Sequence, residues 1–257
     1  MDLIQVLILA IIQGFTEWLP VSSSGHLVIV QSYFGLTPPV IFDVMLHAGT
    51  LLVVLIVFWR DLAGILKAVA QLDFASEEGK LAVFIVVGNI PTAIIGFAFR
   101  DVFKSFFSNP LAVGIALLAT GSVLYISKYG KNGKKLSYSG ALLIGIAQGI
   151  AIIPGVSRSG ITITTGLLSK LRKETAFKFS FLLSIPAIIG AMIAESGSMF
   201  LVEIDGLIMV LGVTVSMFVG YVALKLLQRL LLKGRFHLFA FYCWLLGTAI
   251  VAVTMMG

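Results

Sequence analysis

Apolar runs of about 20 residues recur along the whole chain, and each is long enough to cross the hydrocarbon core of a bilayer as an α-helix. The composition agrees, because 59% of the residues are hydrophobic and only 12% are charged, with a mean hydropathy of +1.07. A soluble protein with a large helical core is the alternative, but so many long apolar runs are not typical of one. We therefore predict an all-α integral membrane protein.

Six runs are predicted to be full transmembrane spans, at residues 40–59, 81–99, 110–127, 175–195, 206–226 and 237–256. Two further apolar stretches, residues 2–33 and 139–170, are interrupted near the middle by proline, serine and glycine. Each would form two half-helices of about a dozen residues, which are too short to cross a membrane singly at about 1.5 Å per residue. We predict that both stretches are re-entrant helical hairpins.

One phrase occurs once in each of these two interrupted stretches, with the same spacing between its parts. The first copy is Gln13-Gly14 followed by Val21-Ser22-Ser23-Ser24-Gly25, and the second is Gln148-Gly149 followed by Val156-Ser157-Arg158-Ser159-Gly160. The repetition predicts a single membrane domain over residues 1–257 that is built from two repeats, residues 1–128 and 137–257. We expect the two phrases to meet at one site.

The positions of Lys and Arg predict how the repeats are oriented. If the N-terminus is outside and both hairpins return to the side from which they start, most of the 18 Lys and Arg residues lie inside, as the positive-inside rule requires. The first hairpin then enters from outside and the second from inside, so the repeats are inverted. Inverted repeats with broken helices place their site near the middle of the membrane. The net charge of +6 is thus a topology signal, and we predict no nucleic-acid partner.

The two copies of the phrase differ in their chemistry. The first copy contains Glu17 and His26, where the second has Ile152 and Ile161, and only the second contains Arg158. Burying an ionisable side chain at membrane depth costs free energy, and such residues usually have a function. One copy is therefore expected to supply proton transfer and the other a fixed positive charge.

Several of these residues also have structural interpretations. In one alternative, the serines are helix caps without a further role. In another, Arg158 forms a purely structural ion pair with Glu17. A phosphate is the favoured partner of Arg158, because a guanidinium binds phosphate oxygens in a bidentate manner. Asp43 and His47 share one helix face, and the sequence leaves open whether they line the same cavity or form an interfacial pair.

Together these residues fit phosphoryl transfer at membrane depth. A cation and helix N-termini suit a phosphoryl group, and a hydroxyl, an imidazole and a carboxylate suit nucleophilic attack and proton transfer. A site at this depth predicts a substrate with a lipid tail and a polyanionic head. The sequence has neither a P-loop nor Cys/His metal spacing, but a divalent cation, Mg²⁺ or Ca²⁺, could bind through Glu17 and the substrate oxygens.

The two phrases resemble the signatures of the BacA-type undecaprenyl-diphosphate phosphatase family. The first signature reads without interruption from Gln13 to His26, and the second, Pro-Gly-x-Ser-Arg-Ser, is matched from Pro154 to Ser159. The resemblance implies a multi-pass enzyme of the cell membrane that is metal-dependent and converts a polyprenyl diphosphate to the monophosphate. It also implies a role in recycling the lipid carrier of peptidoglycan synthesis, and an association with bacitracin resistance. Gln13 stands where many members have a second carboxylate.

The resemblance also assigns residues. Its essential residues correspond to Glu17, His26 and Arg158, and its active-site serines to Ser23, Ser157 and Ser159. We expect Glu17, Ser23, His26 and Arg158 to be catalytic and Glu17 to bind the metal, while the expected substrate-binding residues are Gln13, Ser22, Ser24, Gln148, Ser157, Ser159 and Thr162.

Our mechanistic hypothesis is that Ser23 attacks the terminal phosphorus with His26 as its base, while Glu17 orients His26 or binds the cation. Attack by His26 itself or by water is the rival. A polyprenyl-phosphate transporter or flippase is the alternative function, and the sequence leaves the oligomeric state open, with a homodimer among the options. The first hairpin suggests a site open to the outer face of the membrane.

Overall fold

The structure, a computed structural model, describes residues 2–36, 40–130, 133–195 and 206–256. These ranges contain twelve α-helices, and the one β-type contact within them is an isolated bridge between Lys134 and Leu171. The prediction of an all-α protein is confirmed.

The helices of the first half are α1 (Leu3–Trp18), α2 (Ser23–Tyr33), α3 (Val40–Val57), α4 (Trp59–Ala70), α5 (Glu77–Ala98), α6 (Arg100–Phe107) and α7 (Pro110–Ile126). Those of the second half are α8 (Tyr138–Ile150), α9 (Arg158–Leu168), α10 (Lys173–Glu195), α11 (Gly206–Leu232) and α12 (Phe239–Met256). The helices α2 and α9 begin at corresponding residues of the repeated phrase and are both 11 residues long.

Five of the described helices, α5, α7, α10, α11 and α12, are long and apolar enough to span a membrane. A sixth span is obtained if α3 and α4, which bend by 77° at their junction, are counted together. The chain is therefore a multi-pass membrane protein with five to six candidate spans, close to the six predicted. The short helices α4 and α6 were not predicted, because both are amphipathic and have only 12 and 8 residues, respectively.

Helices from the two halves pack against each other crosswise. The first helix of one half, α1, packs on α11 of the other, and α8 of the second half packs on α5 of the first. The last helices of the halves, α7 and α12, also pack together. In the core, the Phe181 ring of α10 lies 5.3 Å from Trp18 and 4.6 Å from Phe177. This packing holds the end of α1 against α10.

Glycines allow the crossed helices to approach closely, as is common between membrane helices. A Cβ atom at Gly145 of α8 would collide with the backbone of Gly88 in α5, whereas one at Gly190 of α10 would have no neighbour within 4 Å. The contact between α8 and α5 therefore depends on the missing side chain at Gly145.

The Gly145→Ala variant is expected to be destabilised by about 1–3 kcal/mol, the usual cost of overpacking. The matched Gly190→Ala variant should be as stable as the wild type or more stable by up to about 1 kcal/mol, because alanine favours helix over glycine. Thermal unfolding of both variants in detergent measures the difference. Equal unfolding temperatures for Gly145→Ala and the wild type would contradict the close approach of α8 and α5.

Candidate active site

The first motif ends α1 and starts α2. Pro20 has no backbone N–H with which to continue a helix, and Ser22 adopts a positive φ of 68°. The Ser22 hydroxyl oxygen then caps α2 by accepting a hydrogen bond from the Gly25 backbone N–H at 3.3 Å. Ser23 consequently becomes the first residue of α2.

The second motif makes the corresponding break between α8 and α9. Gly155 has a φ of +94°, and a Cβ atom there would lie 2.5 Å from the Val113 carbonyl oxygen, so glycine is required. The Ser157 hydroxyl oxygen caps α9 by accepting from the Gly160 N–H at 3.1 Å. Arg158 becomes the first residue of α9, the position that Ser23 has in α2.

The two breaks are in direct contact, as expected from the repeated phrase. The Ser22 hydroxyl oxygen also accepts a hydrogen bond from the Gly155 N–H of the other half at 3.0 Å. Thr120 of α7 donates to the Gly155 carbonyl at 2.9 Å and thereby supports the same loop. The contact brings together the N-termini of α2 and α9, where free N–H groups and the helix dipole favour an anion.

Glu17, near the end of α1, is the centre of the site. Its carboxylate oxygen Oε1 forms an ion pair with the Arg158 guanidinium. The other oxygen, Oε2, accepts hydrogen bonds from the Ser23 hydroxyl at 2.5 Å and from Gln13 Nε2 at 3.1 Å. The side chain of Glu17 is only 4% exposed. One buried carboxylate therefore binds the first residues of both short helices.

A histidine of α3 completes this group. His47 Nδ1 lies 2.8 Å from the Asp43 carbonyl oxygen, to which it donates, and His47 Nε2 lies 3.5 Å from Glu17 Oε2. The Asp43 carboxylate accepts a hydrogen bond from Gln31 of α2 at 3.0 Å. Of the two residues that the sequence left open, His47 reaches the Glu17 carboxylate, while Asp43 binds α2.

The Arg158 guanidinium has a second contact with the first motif. Its Cζ atom lies 5.8 Å from the centre of the buried Trp18 ring, a distance at which a cation is attracted to an aromatic face. The Arg158 side chain is 20% exposed. Arg158 is thus fixed between a carboxylate and an aromatic ring, and part of its surface remains accessible.

His26 lies in the first turn of α2, but its partners differ from those predicted. Nδ1 lies 2.7 Å from the Ser22 carbonyl oxygen and Nε2 lies 2.7 Å from the Tyr242 hydroxyl of α12. Within the described part of the chain, no hydrogen bond joins His26 to Ser23 or Glu17. The predicted contact between His26 and the Ser23 hydroxyl is therefore not formed in this structure, and Ser23 is paired with Glu17.

Four predicted substrate-binding serines lie at the two chain breaks, at the starts of α2 and α9. The Ser24 and Ser22 hydroxyl oxygens are 3.3 Å apart at the start of α2. The Ser157 and Ser159 hydroxyl oxygens are also 3.3 Å apart, on either side of Arg158 in the chain, and both residues are buried.

Two other predicted substrate-binding residues have protein partners. Thr162 donates to the Arg158 carbonyl at 2.7 Å, and its hydroxyl is 2.5 Å from that of Ser180 in α10. Gln148 Nε2 is 3.3 Å from the Thr92 hydroxyl and 3.4 Å from Asn89 Oδ1 in α5. Thr162 and Gln148 therefore join α9 and α8 to their neighbours, and the structure does not bring them to Glu17.

Sequence reasoning did not assign Tyr242 to the site and left His47 open. His47 had a signal, because it lies four residues after Asp43 on one helix face. Tyr242 had none, because it lies in the aromatic start of an apolar span, where tyrosine is common at membrane interfaces. Both residues approach the motif from helices that are distant in the sequence.

The site can be tested for its fit to the divalent cation that the sequence predicted. The described residues contain no group of three His, Cys, Asp or Glu that could hold a metal ion, so they do not form an all-protein cage. However, Gln13 Oε1 is buried without a hydrogen-bond partner, in the same side chain whose Nε2 binds Glu17. This oxygen and the Glu17 carboxylate fit an Mg²⁺-type ion, which commonly uses one or two protein ligands together with substrate phosphate oxygens.

The chain also resembles known proteins over nearly its whole length. Residues 6–249 match the family profile described as bacitracin resistance protein BacA. A protein of Desulfosudis oleivorans named undecaprenyl-diphosphatase is 47% identical over 266 residues, which cover 96% of this chain and 97% of the relative.

Two further relatives carry the same name, undecaprenyl-diphosphatase. The protein of Halothermothrix orenii is 44% identical over 259 residues, 98% of each chain. That of Korarchaeum cryptofilum is 41% identical over 264 residues, 98% of this chain and all of the relative. The resemblance predicted from the two motifs is confirmed, and the chain belongs to the BacA family of bacitracin resistance proteins.

Proposed function

We propose that the chain is a membrane phosphatase that hydrolyses undecaprenyl diphosphate to undecaprenyl phosphate and inorganic phosphate. This reaction would return the lipid carrier to the synthesis of cell-envelope glycans. The observation that carries the proposal is the buried Glu17 carboxylate, bound to Arg158 and Ser23 where the N-termini of two short helices meet. The name shared by the relatives supports the same substrate.

Substrate binding begins with an exchange of partners at Arg158. In the absence of substrate, the guanidinium neutralises Glu17, which would otherwise be a buried unpaired charge. The diphosphate takes the place of the carboxylate, because phosphate oxygens also bind a guanidinium in a bidentate manner. Ser157, Ser159 and the N–H groups at the start of α2 and α9 bind the remaining oxygens. Glu17 Oε1 thereby loses its ion pair with Arg158, while Oε2 remains hydrogen-bonded to the Ser23 hydroxyl.

The reaction then proceeds in two displacements. The Ser23 hydroxyl oxygen attacks the terminal phosphorus, its proton passes to Glu17 Oε2, and the phosphoanhydride bond breaks to release the polyprenyl monophosphate. A water molecule next attacks the phosphoserine phosphorus with His26 as the base, and the serine–phosphate bond breaks. Glu17 Oε2 returns its proton to the Ser23 oxygen, and His26 gives the proton taken from water to the solvent as inorganic phosphate leaves. This differs from our sequence-based hypothesis, in which His26 activates Ser23, because the Ser23 hydroxyl donates its hydrogen bond to Glu17.

The Glu17 carboxylate and Gln13 Oε1 are the residues that would hold a divalent cation. When bound, such a cation supplies positive charge that balances the phosphate oxygens during cleavage. Gln13 also positions Glu17 through the hydrogen bond at 3.1 Å.

The purified protein in detergent is expected to release phosphate from undecaprenyl diphosphate when Mg²⁺ or Ca²⁺ is present. Chelation with EDTA should remove most of the activity, because a cation held by few protein ligands is readily lost to a chelator. Addition of either cation should restore the activity. Detergent abolishes the two sides of a membrane, so transport cannot explain release. An intact protein that releases no phosphate with any cation would refute the phosphatase and favour a lipid flippase.

We further propose that the two halves, residues 1–128 and 137–257, are inverted repeats with re-entrant hairpins at residues 2–33 and 139–170. The lengths of α2 and α9, 11 residues each, support this, since about 16 Å of helix cannot cross a core of about 30 Å. The crossed packing of α1 on α11 and of α8 on α5 supports the repeat.

The site is proposed to open to the outer face of the cell membrane, because the distribution of Lys and Arg places the N-terminus and the first hairpin outside. In a Cys243→Ala background, Ser24→Cys should react with a membrane-impermeant thiol reagent added to intact cells. Lys128→Cys, at the predicted inner surface, is the control and should react only after the membrane is opened. Reaction of Ser24→Cys only from inside would contradict outer access.

A further inference from the structure

The contact between His26 and Tyr242 joins the first motif to the last helix. His26 Nε2 lies 2.7 Å from the Tyr242 hydroxyl oxygen, and the two rings are nearly parallel, 5.7 Å apart at an angle of 6°. The partners are separated by 216 positions in the chain. Nothing in the two-step mechanism uses Tyr242.

The two hydrogen bonds of His26 determine which nitrogen is basic. The Ser22 carbonyl oxygen, 2.7 Å from Nδ1, can only accept, so Nδ1 carries a hydrogen. In the neutral ring, Nε2 then has the lone pair, and the Tyr242 hydroxyl donates to it. The Ser22 carbonyl oxygen therefore sets the tautomer in which Nε2 is the base, and Tyr242 stabilises and orients it by donating to Nε2.

The helix α12, which carries Tyr242, contacts the first motif and packs against α7, the helix beside the second motif. Cys243 Sγ, the next residue, lies 3.6 Å from the Pro20 carbonyl oxygen in the break between α1 and α2. The helix α12 also packs along α7, whose Thr120 supports Gly155. The helix α12 is thus anchored so that the Tyr242 hydroxyl lies at His26 in the substrate-free site.

We propose that Tyr242 is a positioning residue for His26. Its hydroxyl keeps Nε2 unprotonated and correctly oriented while the site is free of substrate, and the attacking water takes its place at Nε2 once the phosphoserine has formed. Tyr242 is about half exposed, so its hydroxyl can leave without disrupting the core. The use of this arrangement in catalysis rests on the proposed phosphatase function, whereas the hydrogen bond from Tyr242 to Nε2 does not.

The tautomer can be measured directly, because the chain has only 3 histidines. Protein labelled with ¹⁵N-histidine should give one set of imidazole signals for each, and His26→Gln identifies those of His26. At neutral pH the wild type should show an unprotonated Nε2, and Tyr242→Phe should shift the His26 signals and leave the others in place. Tyr221→Phe, at a similarly exposed tyrosine of α11, is the control. Unchanged His26 signals in Tyr242→Phe would overturn the proposal, whether or not the protein hydrolyses the lipid.

Kinetics test the catalytic part of the proposal. Tyr242→Phe should lower kcat about tenfold with little change in KM, because base catalysis weakens while substrate binding is retained. In the His26→Gln background, the same substitution should have no further effect. A tenfold loss in that background as well would show that Tyr242 does not act through His26, and so would overturn the proposal.

Discussion

The Arg158→Gln enzyme is expected to hydrolyse undecaprenyl diphosphate about 10³-fold more slowly than the wild type. Glutamine has neither the charge nor the paired donors with which a guanidinium binds phosphate oxygens, and the loss of one such stabilising donor costs about 10²- to 10³-fold in other enzymes. Phosphate release by the purified variant in detergent measures the effect. Arg172→Gln, at an exposed arginine before α10, is the control and should keep wild-type activity.

The same substitution also separates a catalytic role of Arg158 from a purely structural one. Arg158→Gln leaves the Glu17 carboxylate buried without its ion-pair partner, which should lower the unfolding temperature. The double variant Glu17→Gln/Arg158→Gln removes both charges and should regain stability but not activity. If the double variant were active, the ion pair would be only structural and Arg158 would not bind the substrate.

The Ser23→Ala enzyme is expected to lose at least about 10³-fold in activity, because it lacks the attacking oxygen. Rapid acid quenching of the wild type with substrate labelled at the terminal phosphate should trap label on Ser23. Ser24→Ala, which changes the neighbouring hydroxyl, should still form the labelled protein. An active Ser23→Ala enzyme, or label on His26, would contradict attack by Ser23.

Trapping also decides which group accepts the proton of Ser23. Since Glu17 Oε2 is 2.5 Å from the Ser23 hydroxyl, Glu17→Gln should form little or no phosphoserine. His26→Gln should form it and accumulate it, because only the second displacement depends on the imidazole. The opposite pattern would restore our sequence-based hypothesis, in which His26 activates Ser23.

Much of the fold could be predicted from the sequence, because the bilayer allows few solutions for long apolar runs. The spans at 81–99, 110–127, 175–195, 206–226 and 237–256 each correspond to one of the five candidate spanning helices. The helices α4 and α6 were missed. Both are short and amphipathic, and their apolar positions merge into the neighbouring spans when only mean hydropathy is considered.

The breaks in the chain, and the candidate residues of the two motifs, could be identified from the sequence alone. Pro20, Gly155 and the capping serines Ser22 and Ser157 act through local backbone geometry, so their effect follows from sequence alone. The repeated phrase likewise predicted that the two breaks meet, and the Ser22 contact with Gly155 confirms it.

The pairing of the side chains in the site depends on tertiary packing. Ser23 pairs with Glu17, and His26 pairs with Tyr242, although our mechanistic hypothesis paired Ser23 with His26. The physical reason is that the break turns α2 relative to α1, and α3, α9 and α12 then approach from distant parts of the chain. Hydrogen bonds form between the groups that this packing brings within about 3 Å of each other. Which groups come that close cannot be predicted from their spacing in the sequence.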